Sequence, residues 1–292
     1  MTTPAPPPPP PHTDQDAGPR PPEAGADGLG PYASPVPDRD PGLGDAIASE
    51  WTKIRSVRST MWTLGVLVVL LPAVGLLTAL TVRASDASVE DGSVLELGFF
   101  GVLPGSICVI TLGVLTITSE YGTGMIRSTL TVCPSRARVL IAKSFVLFLL
   151  TFTVTTVTTG VVGVLQTAAL DGAPPTGDDW LRSTVGVGLY IALLGLLSLA
   201  FGAIVRHSAG AITIMIALFL LPLVLAVFMF APALSGLQHA LFVYSIPNQI
   251  GALYAGSLTM SGPTGWSPVL IIAGVTAVVM AAAFASLDRR DV

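Results

Sequence analysis

The sequence contains few charged residues for its length. Only 11% of its 292 residues are Asp, Glu, Lys or Arg, whereas 51% are hydrophobic. A soluble globular domain has about 25% charged residues, because it must cover its surface with groups that water solvates. The composition therefore excludes a soluble protein and predicts an integral membrane protein.

Cysteine and histidine are also scarce, and their positions exclude several kinds of site. The two cysteines, Cys108 and Cys133, form no Cys-x-x-Cys pair, so neither a disulfide framework nor a zinc site is predicted. The chain has no His-Glu-x-x-His or Gly-x-Ser-x-Gly motif, and its three histidines lie outside the segments long enough to cross a membrane. We therefore expect no catalytic, metal-binding or cofactor-binding residue in this chain.

The sequence also lacks the residues with which a transporter usually binds a nucleotide or couples to an ion gradient. The two lysines, Lys53 and Lys143, follow Thr52 and Ala142, so neither belongs to a Gly-x-x-x-x-Gly-Lys nucleotide-binding loop. The apolar segments contain no Asp, Glu or His in their interior, which argues against a secondary transporter with a carboxylate relay. A transporter that binds sodium through carbonyl and hydroxyl oxygens alone stays open.

Residues 1–44 differ in composition from the rest of the chain. They contain fourteen of the 24 prolines, including the run Pro6–Pro11, and almost no aliphatic residues. Such a segment buries too little apolar surface to offset its ordering entropy, so we predict a disordered tail with local polyproline II structure. The alternative is a tail that binds a domain which recognises proline-rich segments.

Residues 45–60 are predicted to form an amphipathic helix. Apolar residues recur there at spacings of three or four, which places them on one face of a helix. A tryptophan on this face, with basic residues nearby, is typical of a helix that lies in the plane of the membrane interface. A solvent-facing helix with one apolar side is the alternative. The apolar residues are Ile47, Trp51, Ile54, Val57 and Met61, and the basic residues are Lys53, Arg55 and Arg58.

Six apolar segments follow, each about as long as the ~20 residues that cross the hydrocarbon core at 1.5 Å per residue. The last two lie within residues 208–287, a stretch of 80 residues without Asp, Glu, Lys or Arg. The sequence therefore predicts an all-α, polytopic membrane protein in which residues 61–292 form six transmembrane helices. They are expected near residues 61–82, 97–118, 139–166, 184–205, 209–231 and 268–287.

The basic residues divide unequally between the two sides of this arrangement. Outside the proline-rich tail, the segments on the side of both termini carry ten Lys and Arg residues, whereas the opposite segments carry only Arg83 and Arg182. Because Lys and Arg concentrate in cytoplasmic loops, we expect both termini in the cytoplasm. Residues 237–266 then lie on the outer side of the membrane. They are uncharged and contain many helix-breaking Pro and Gly residues. We therefore predict short re-entrant helices there, with Tyr244 and Trp266 at the interface.

The loop 119–138 is the largest on the cytoplasmic side. We predict a break at Gly122–Gly124 and a short helix to about Val132, which Pro134 ends. Ser135 is then placed to cap the third long helix. Such a helix can transmit a displacement from a soluble partner to the two spans that it joins. A basic hairpin that only fixes the topology is the alternative.

Two stretches of this sequence resemble the ABC-2-type permeases of actinobacteria. Residues 49–59, SEWTKIRSVRS, are similar to the segment that opens many of these proteins. Residues 117–127, ITSEYGTGMIR, are similar to the signature after their second span, and residues 134–143 to its continuation. The resemblance covers about residues 43–292, although residues 245–251 match the family's Pro and Gly segment only loosely.

The resemblance implies the permease subunit of an ABC exporter in a bacterial plasma membrane. It implies a separate ATP-binding subunit that holds ATP and Mg, and a second permease copy or a relative as the dimer partner within the lipid bilayer. No nucleic-acid partner is expected. The connecting helix would carry Trp51, Lys53, Arg55 and Arg58, and the ATPase-coupling loop would carry Glu120, Tyr121, Thr123, Gly124, Met125, Ile126 and Arg127, with Glu120 making polar contacts.

The predicted function is export of a hydrophobic or amphipathic compound, because the spans offer a cargo little but apolar groups and hydroxyls. The third span is rich in threonine, which more often hydrogen-bonds within and between helices than contacts a cargo. A membrane scaffold or immunity-type protein without a transport cycle is the alternative, as is a secondary transporter. The threonines are Thr151, Thr153, Thr155, Thr156, Thr158 and Thr159.

Overall fold

The computed structural model of the chain describes residues 42–85, 93–125, 135–254 and 262–289. The proline-rich segment up to residue 41 lies outside these ranges, as do residues 126–134. The disordered tail and the short helix to Val132 therefore stay predictions.

The described residues form ten α-helices and no strand. Six of the helices are long, and a 3₁₀ turn (Val94–Leu97) precedes the second of them, while a π-helical turn (Arg182–Gly186) precedes the fourth. The helices are α1 (Leu43–Ser56), α2 (Arg58–Ala84), α3 (Gly98–Thr123), α4 (Arg136–Ala169), α5 (Gly177–Leu181), α6 (Val187–Val205), α7 (Ser208–Phe228), α8 (Ser235–Val243), α9 (Ile246–Leu253) and α10 (Ser267–Arg289).

Six helical segments within the described residues are long and apolar enough to cross a membrane. They are α2, α3 with its preceding turn, α4, the continuous segment from α5 through α6, α7 and α10. This result confirms the prediction of an all-α protein with six spans, and the chain is a multi-pass membrane protein.

The boundary between the amphipathic helix and the first span differs from the predicted one. Helix α1 ends at Ser56, because Val57 adopts an extended conformation with φ −84° and ψ 115°. Arg58 therefore lies in the first turn of α2 and not on the amphipathic helix to which the sequence assigned it. The orientation of α1 in the membrane plane stays a prediction.

The second span is longer than predicted at its C-terminal end. Helix α3 continues to Thr123, and Gly124 ends it in the left-handed conformation with φ 71°. A glycine at this position is the usual helix terminator, because it adopts a positive φ without a steric penalty. The break therefore lies at Gly124, the last residue of the predicted break, and Gly122 is still part of the helix. Ser135 caps α4 as predicted, and its hydroxyl oxygen accepts a hydrogen bond from the backbone N–H of Arg138 at 3.3 Å.

Helix α6 lies at the centre of the bundle. Most of its residues are buried within the protein, whereas most residues of α2, α7 and α10 are not. It packs against α3, α4 and α10. The approach to α3 is close because Gly113 faces Gly195, and a Cβ at Gly113 would collide with the carbonyl oxygen of Gly195. Small residues commonly allow such close contact between membrane helices.

The segment between the last two spans contains two short helices, α8 and α9. All eight residues of α9 are buried. Its polar side chains Asn248 and Gln249 donate hydrogen bonds to the carbonyl oxygens of Val243 and Tyr244 at 3.0 and 2.9 Å. Short helices at this position agree with the expectation from the sequence, while their depth in the outer leaflet stays a prediction.

Candidate coupling site

Helix α1 brings polar groups to the ends of two spans. It lies against α4 and α2, and its residues Glu50 and Ile54 are buried. Residues three or four apart share one face of a helix, so Lys53 lies close to Glu50 on the surface of α1. Helix α1 therefore presents a carboxylate and an ammonium group together to the ends of α3 and α4.

Four residues from three helices form a closed set of ion pairs, which we call the charge cluster: Glu50, Lys53, Glu120 and Lys143. Lys143 Nζ lies 2.6 Å from Glu50 Oε2 and 2.7 Å from Glu120 Oε1. Lys53 Nζ lies 2.8 Å from Glu50 Oε1 and 2.9 Å from Glu120 Oε1. Each lysine donates to both glutamates, and the four charges sum to zero.

The charge cluster is almost completely removed from solvent. Glu50, Glu120 and Lys143 are 4%, 2% and 1% exposed, and only Lys53 reaches the edge of the cluster. Burying a charge costs free energy that attraction offsets only when the charge is paired and well hydrogen-bonded. We infer that the charge cluster mainly fixes how α1, α3 and α4 meet, and that its net contribution to stability is small.

At the edge of the charge cluster, Lys53 has a shifted pKa and Glu120 has one oxygen without a hydrogen-bond partner among the described residues. Burial lowers the pKa of Lys53, but hydrogen bonds to Glu50 and Glu120 and attraction by both carboxylates outweigh burial and leave this pKa above its ordinary value. Lys53 is therefore charged at physiological pH. Glu120 Oε2 has no hydrogen-bond partner among the described residues, and a cavity of about 30 Å³ beside the cluster is large enough for a water molecule.

A second contact joins the end of α3 to the junction of α6 and α7. The guanidinium carbon of Arg206 lies 5.1 Å from the centre of the Tyr121 ring, within the ~6 Å range of a cation–π interaction. Arg206 ends α6 with φ 57°, in the left-handed region that residues other than glycine rarely adopt. The next residue, His207, caps α7, because its Nδ1 accepts a hydrogen bond from the N–H of Gly210 at 3.0 Å.

A third contact joins the start of α4 to the end of α10. Arg136 Nη1 donates a hydrogen bond to the carbonyl oxygen of Leu287 at 2.9 Å. Together, the charge cluster, the Tyr121–Arg206 contact and this hydrogen bond connect the end of α3 and the start of α4 to every other long helix except α2. A displacement of the end of α3 or the start of α4 can therefore reach most of the bundle.

The structure brings only some of the predicted site residues together. Glu120 contacts Lys53 of the predicted connecting helix, while the role of both residues in coupling stays a prediction. The other predicted residues of the connecting helix, Trp51, Arg55 and Arg58, are exposed. In the predicted coupling loop, Thr123 bonds to its own helix, Gly124 ends α3, Met125 is 39% exposed, and Ile126 and Arg127 lie outside the described residues. Contact of this loop with an ATPase stays a prediction.

Sequence reasoning did not identify Glu50 and Lys143 as site residues. One signal was available, because Lys143 is the only charged residue in the apolar run 139–170. A lysine at such a position requires a partner of opposite charge. The identity of that partner was not accessible, since Glu50 lies on a different helix and 93 positions away in the chain.

A comparison with protein families identifies a family that covers most of the described spans. Residues 46–233, more than half of the chain, match the family described as ABC-2 family transporter protein. The match includes α1 from residue 46 onward, the charge cluster, the Tyr121–Arg206 contact and the first five spans. No curated protein matches the chain.

Proposed function

The chain belongs to the ABC-2 family of transporter proteins and is a membrane permease subunit of an ABC transporter, and we propose that it exports a hydrophobic or amphipathic compound. In this proposal a separate subunit binds ATP and Mg and hydrolyses the ATP. A second copy of this chain, or a related permease, completes the pathway. The ten basic residues on the side of the termini support a plasma-membrane topology with both termini in the cytoplasm.

The observation that carries the proposal is the position of Glu120. It lies four residues before the left-handed Gly124 that ends α3, and it contacts Lys53 on α1 and Lys143 on α4. The end of α3, which leads into the segment that joins α3 to α4, is thus attached to α1 and α4 at one buried point. A partner that pushes this end of α3 moves α1, α3 and α4 together.

The mechanism follows from these attachments. When the ATP-binding subunits close on ATP, they displace the segment between α3 and α4. The charge cluster passes the displacement to α1 and α4, and the contact between Tyr121 and Arg206 passes it to the junction of α6 and α7. The helices then reorient around a pathway between the two permease subunits.

The chemistry of the spans supports an apolar or amphipathic cargo. Glu120 and Lys143 already neutralise each other, so neither offers a free charge to a cargo. In the threonine-rich span, Thr151, Thr158 and Thr159 donate hydrogen bonds to carbonyl oxygens of α4 itself, as the sequence led us to expect. What remains along the spans is apolar surface with scattered hydroxyls.

The experiment is to co-purify the chain with an ATP-binding subunit of an ABC transporter from the same source and to measure ATP hydrolysis in liposomes. Glu120→Gln keeps the shape of the side chain but removes the charge that both lysines contact. We expect the permease-dependent ATP hydrolysis to fall about tenfold, within the range of ~5- to 150-fold that is typical of coupling between sites.

The matched control is Glu96→Gln, at the opposite end of the same span. Glu96 accepts a hydrogen bond from the N–H of Ser93 in a capping box, and glutamine fills this role equally well. The control is therefore expected to retain full ATP hydrolysis. A chain that binds no ATP-binding subunit, or a Glu120→Gln variant as active as the control, would contradict the proposal and favour a scaffold.

A further inference from the structure

An apolar groove runs between α1 and α4 on the outside of the bundle. It has a volume of about 370 Å³, which lies within the ~300–1,000 Å³ of typical small-molecule sites. Its lining is almost entirely apolar and includes Ile47 and Trp51 of α1 and Phe145, Leu149 and Val154 of α4. Trp51, Phe145 and Leu149 are about half exposed, so the groove opens toward the lipid.

The groove is elongated along the span. Its lining residues on α4 extend from Phe145 to Val154, which corresponds to about 13 Å along the helix axis at 1.5 Å per residue. It starts next to the charge cluster, because Phe145 follows Lys143 by two positions and Trp51 follows Glu50 directly. From there it runs toward the middle of the span. This shape suits a hydrocarbon chain that enters from the interface.

Two basic residues follow the groove-lining Trp51 along the chain. Arg55 lies one helical turn after Trp51 on the same side of α1, and Arg58 follows at the start of α2. Both side chains are exposed. The acidic residues of α1 do not offset this charge, since Glu50 is paired with both lysines and Asp45 lies in the first turn of α1, about 15 Å along the helix axis from Arg55. The charge that follows Trp51 is therefore complementary to an anionic headgroup.

We propose that an anionic phospholipid occupies this site, with one acyl chain in the groove and its phosphate group at Arg55 and Arg58. The attraction between basic residues near a membrane surface and anionic lipids supports this choice of headgroup. The bound lipid packs α1 against α4 beside the charge cluster. The site depends on the chain being in a membrane, but not on the cargo or on the direction of transport.

Trp51 is a native reporter of the occupant. A variant with Trp62, Trp180 and Trp266 replaced by Phe leaves Trp51 as the only tryptophan. It is reconstituted in phosphatidylcholine vesicles that contain increasing fractions of brominated phosphatidylglycerol or brominated phosphatidylcholine, because bromine quenches tryptophan fluorescence on contact. We expect half-maximal quenching at about a tenfold lower mole fraction of the anionic lipid, with the difference shrinking at high salt.

Two control variants test the site itself. Adding Arg55→Gln and Arg58→Gln is expected to remove the preference for the anionic lipid. A second reporter keeps Trp62, which is 75% exposed on α2 and does not line the groove, and replaces Trp51 by Phe. Both brominated lipids are expected to quench Trp62 equally.

Two results overturn the proposal. Equal quenching of Trp51 by both lipids shows that the groove contacts bulk lipid without selecting a headgroup. Quenching of Trp62 but not of Trp51 shows that protein, such as a second copy of the chain, covers the groove. Neither result involves ATP hydrolysis, so the lipid site and the proposed transport function fail independently.

Discussion

Replacing Lys143 by Met tests whether the charge cluster behaves as one unit. Methionine has a similar length and an unbranched, adaptable side chain, so it fills the space without the charge. In the Lys143→Met variant, Glu50 and Glu120 keep only Lys53 as a partner, and the cluster acquires a net negative charge. Glu50 Oε2 loses the donor that lies 2.6 Å away.

The expected loss of stability follows from the burial of these groups. Removing one partner of a buried ion pair typically costs about 3–5 kcal/mol, because the remaining charge stays buried without compensation. At roughly 2–4 °C per kcal/mol for a chain of this size class, the melting temperature falls by about 6 °C or more. Adding Glu120→Gln restores a neutral cluster of Glu50 and Lys53. The double variant is therefore expected to recover about 1–3 kcal/mol relative to the sum of the single variants.

The assay is thermal unfolding of the four proteins of this cycle, purified in the same detergent. Arg83→Met serves as the control, since Arg83 is an exposed cation in the last turn of α2. Its effect is expected to stay within about 0.5 kcal/mol. The reasoning is refuted if Lys143→Met is as stable as this control, or if the two substitutions in the cluster are simply additive.

Two further predictions concern backbone positions, and thermal unfolding checks both. Because Arg206 has φ 57°, Arg206→Gly is expected to be about 1 kcal/mol more stable than Arg206→Ala, although both lose the contact with Tyr121; equal stability of the two variants speaks against a strained backbone there. Because a Cβ at Gly113 would collide with the carbonyl oxygen of Gly195, Gly113→Ala is expected to cost about 1–3 kcal/mol. The same change at Gly65, where an added Cβ would meet no atom within 4 Å, is expected to be neutral or slightly stabilising. A similar loss of stability at both glycines contradicts the packing argument.

The number and type of the spans were predictable from the sequence because each depends on one local property. A run of some twenty apolar residues forms a helix in the bilayer whatever its neighbours are, since lipid cannot satisfy the backbone polar groups. The ends of the helices depend on single residues and were harder to predict from the sequence. Helix α1 ends at Ser56 and not near residue 60, since nothing local in the sequence marks a break at Val57. Helix α3 ends at Thr123 and not near residue 118, and Gly122 and Gly124 offered the same local signal for a break.

The charge cluster was not predictable from local patterns. Glu50 lies on the amphipathic helix, where a glutamate normally faces water, and only the packing of α1 on α4 buries it. Arg206 and Tyr121 are likewise distant in the chain, and their contact requires the ends of α3 and α6 to coincide. The resemblance to a transporter family indicated that Glu120 makes polar contacts, but not which residues it contacts.

Both lysines of this chain lie in the charge cluster, and Lys143 is 1% exposed. Amine-reactive reagents therefore encounter few targets on the folded spans, since one lysine is shielded and the other is held between two carboxylates. A lysine introduced elsewhere on the surface becomes the preferred point for attaching a fluorophore or a cross-linker. The reactivity of Lys143 itself then reports whether α1 has separated from α4.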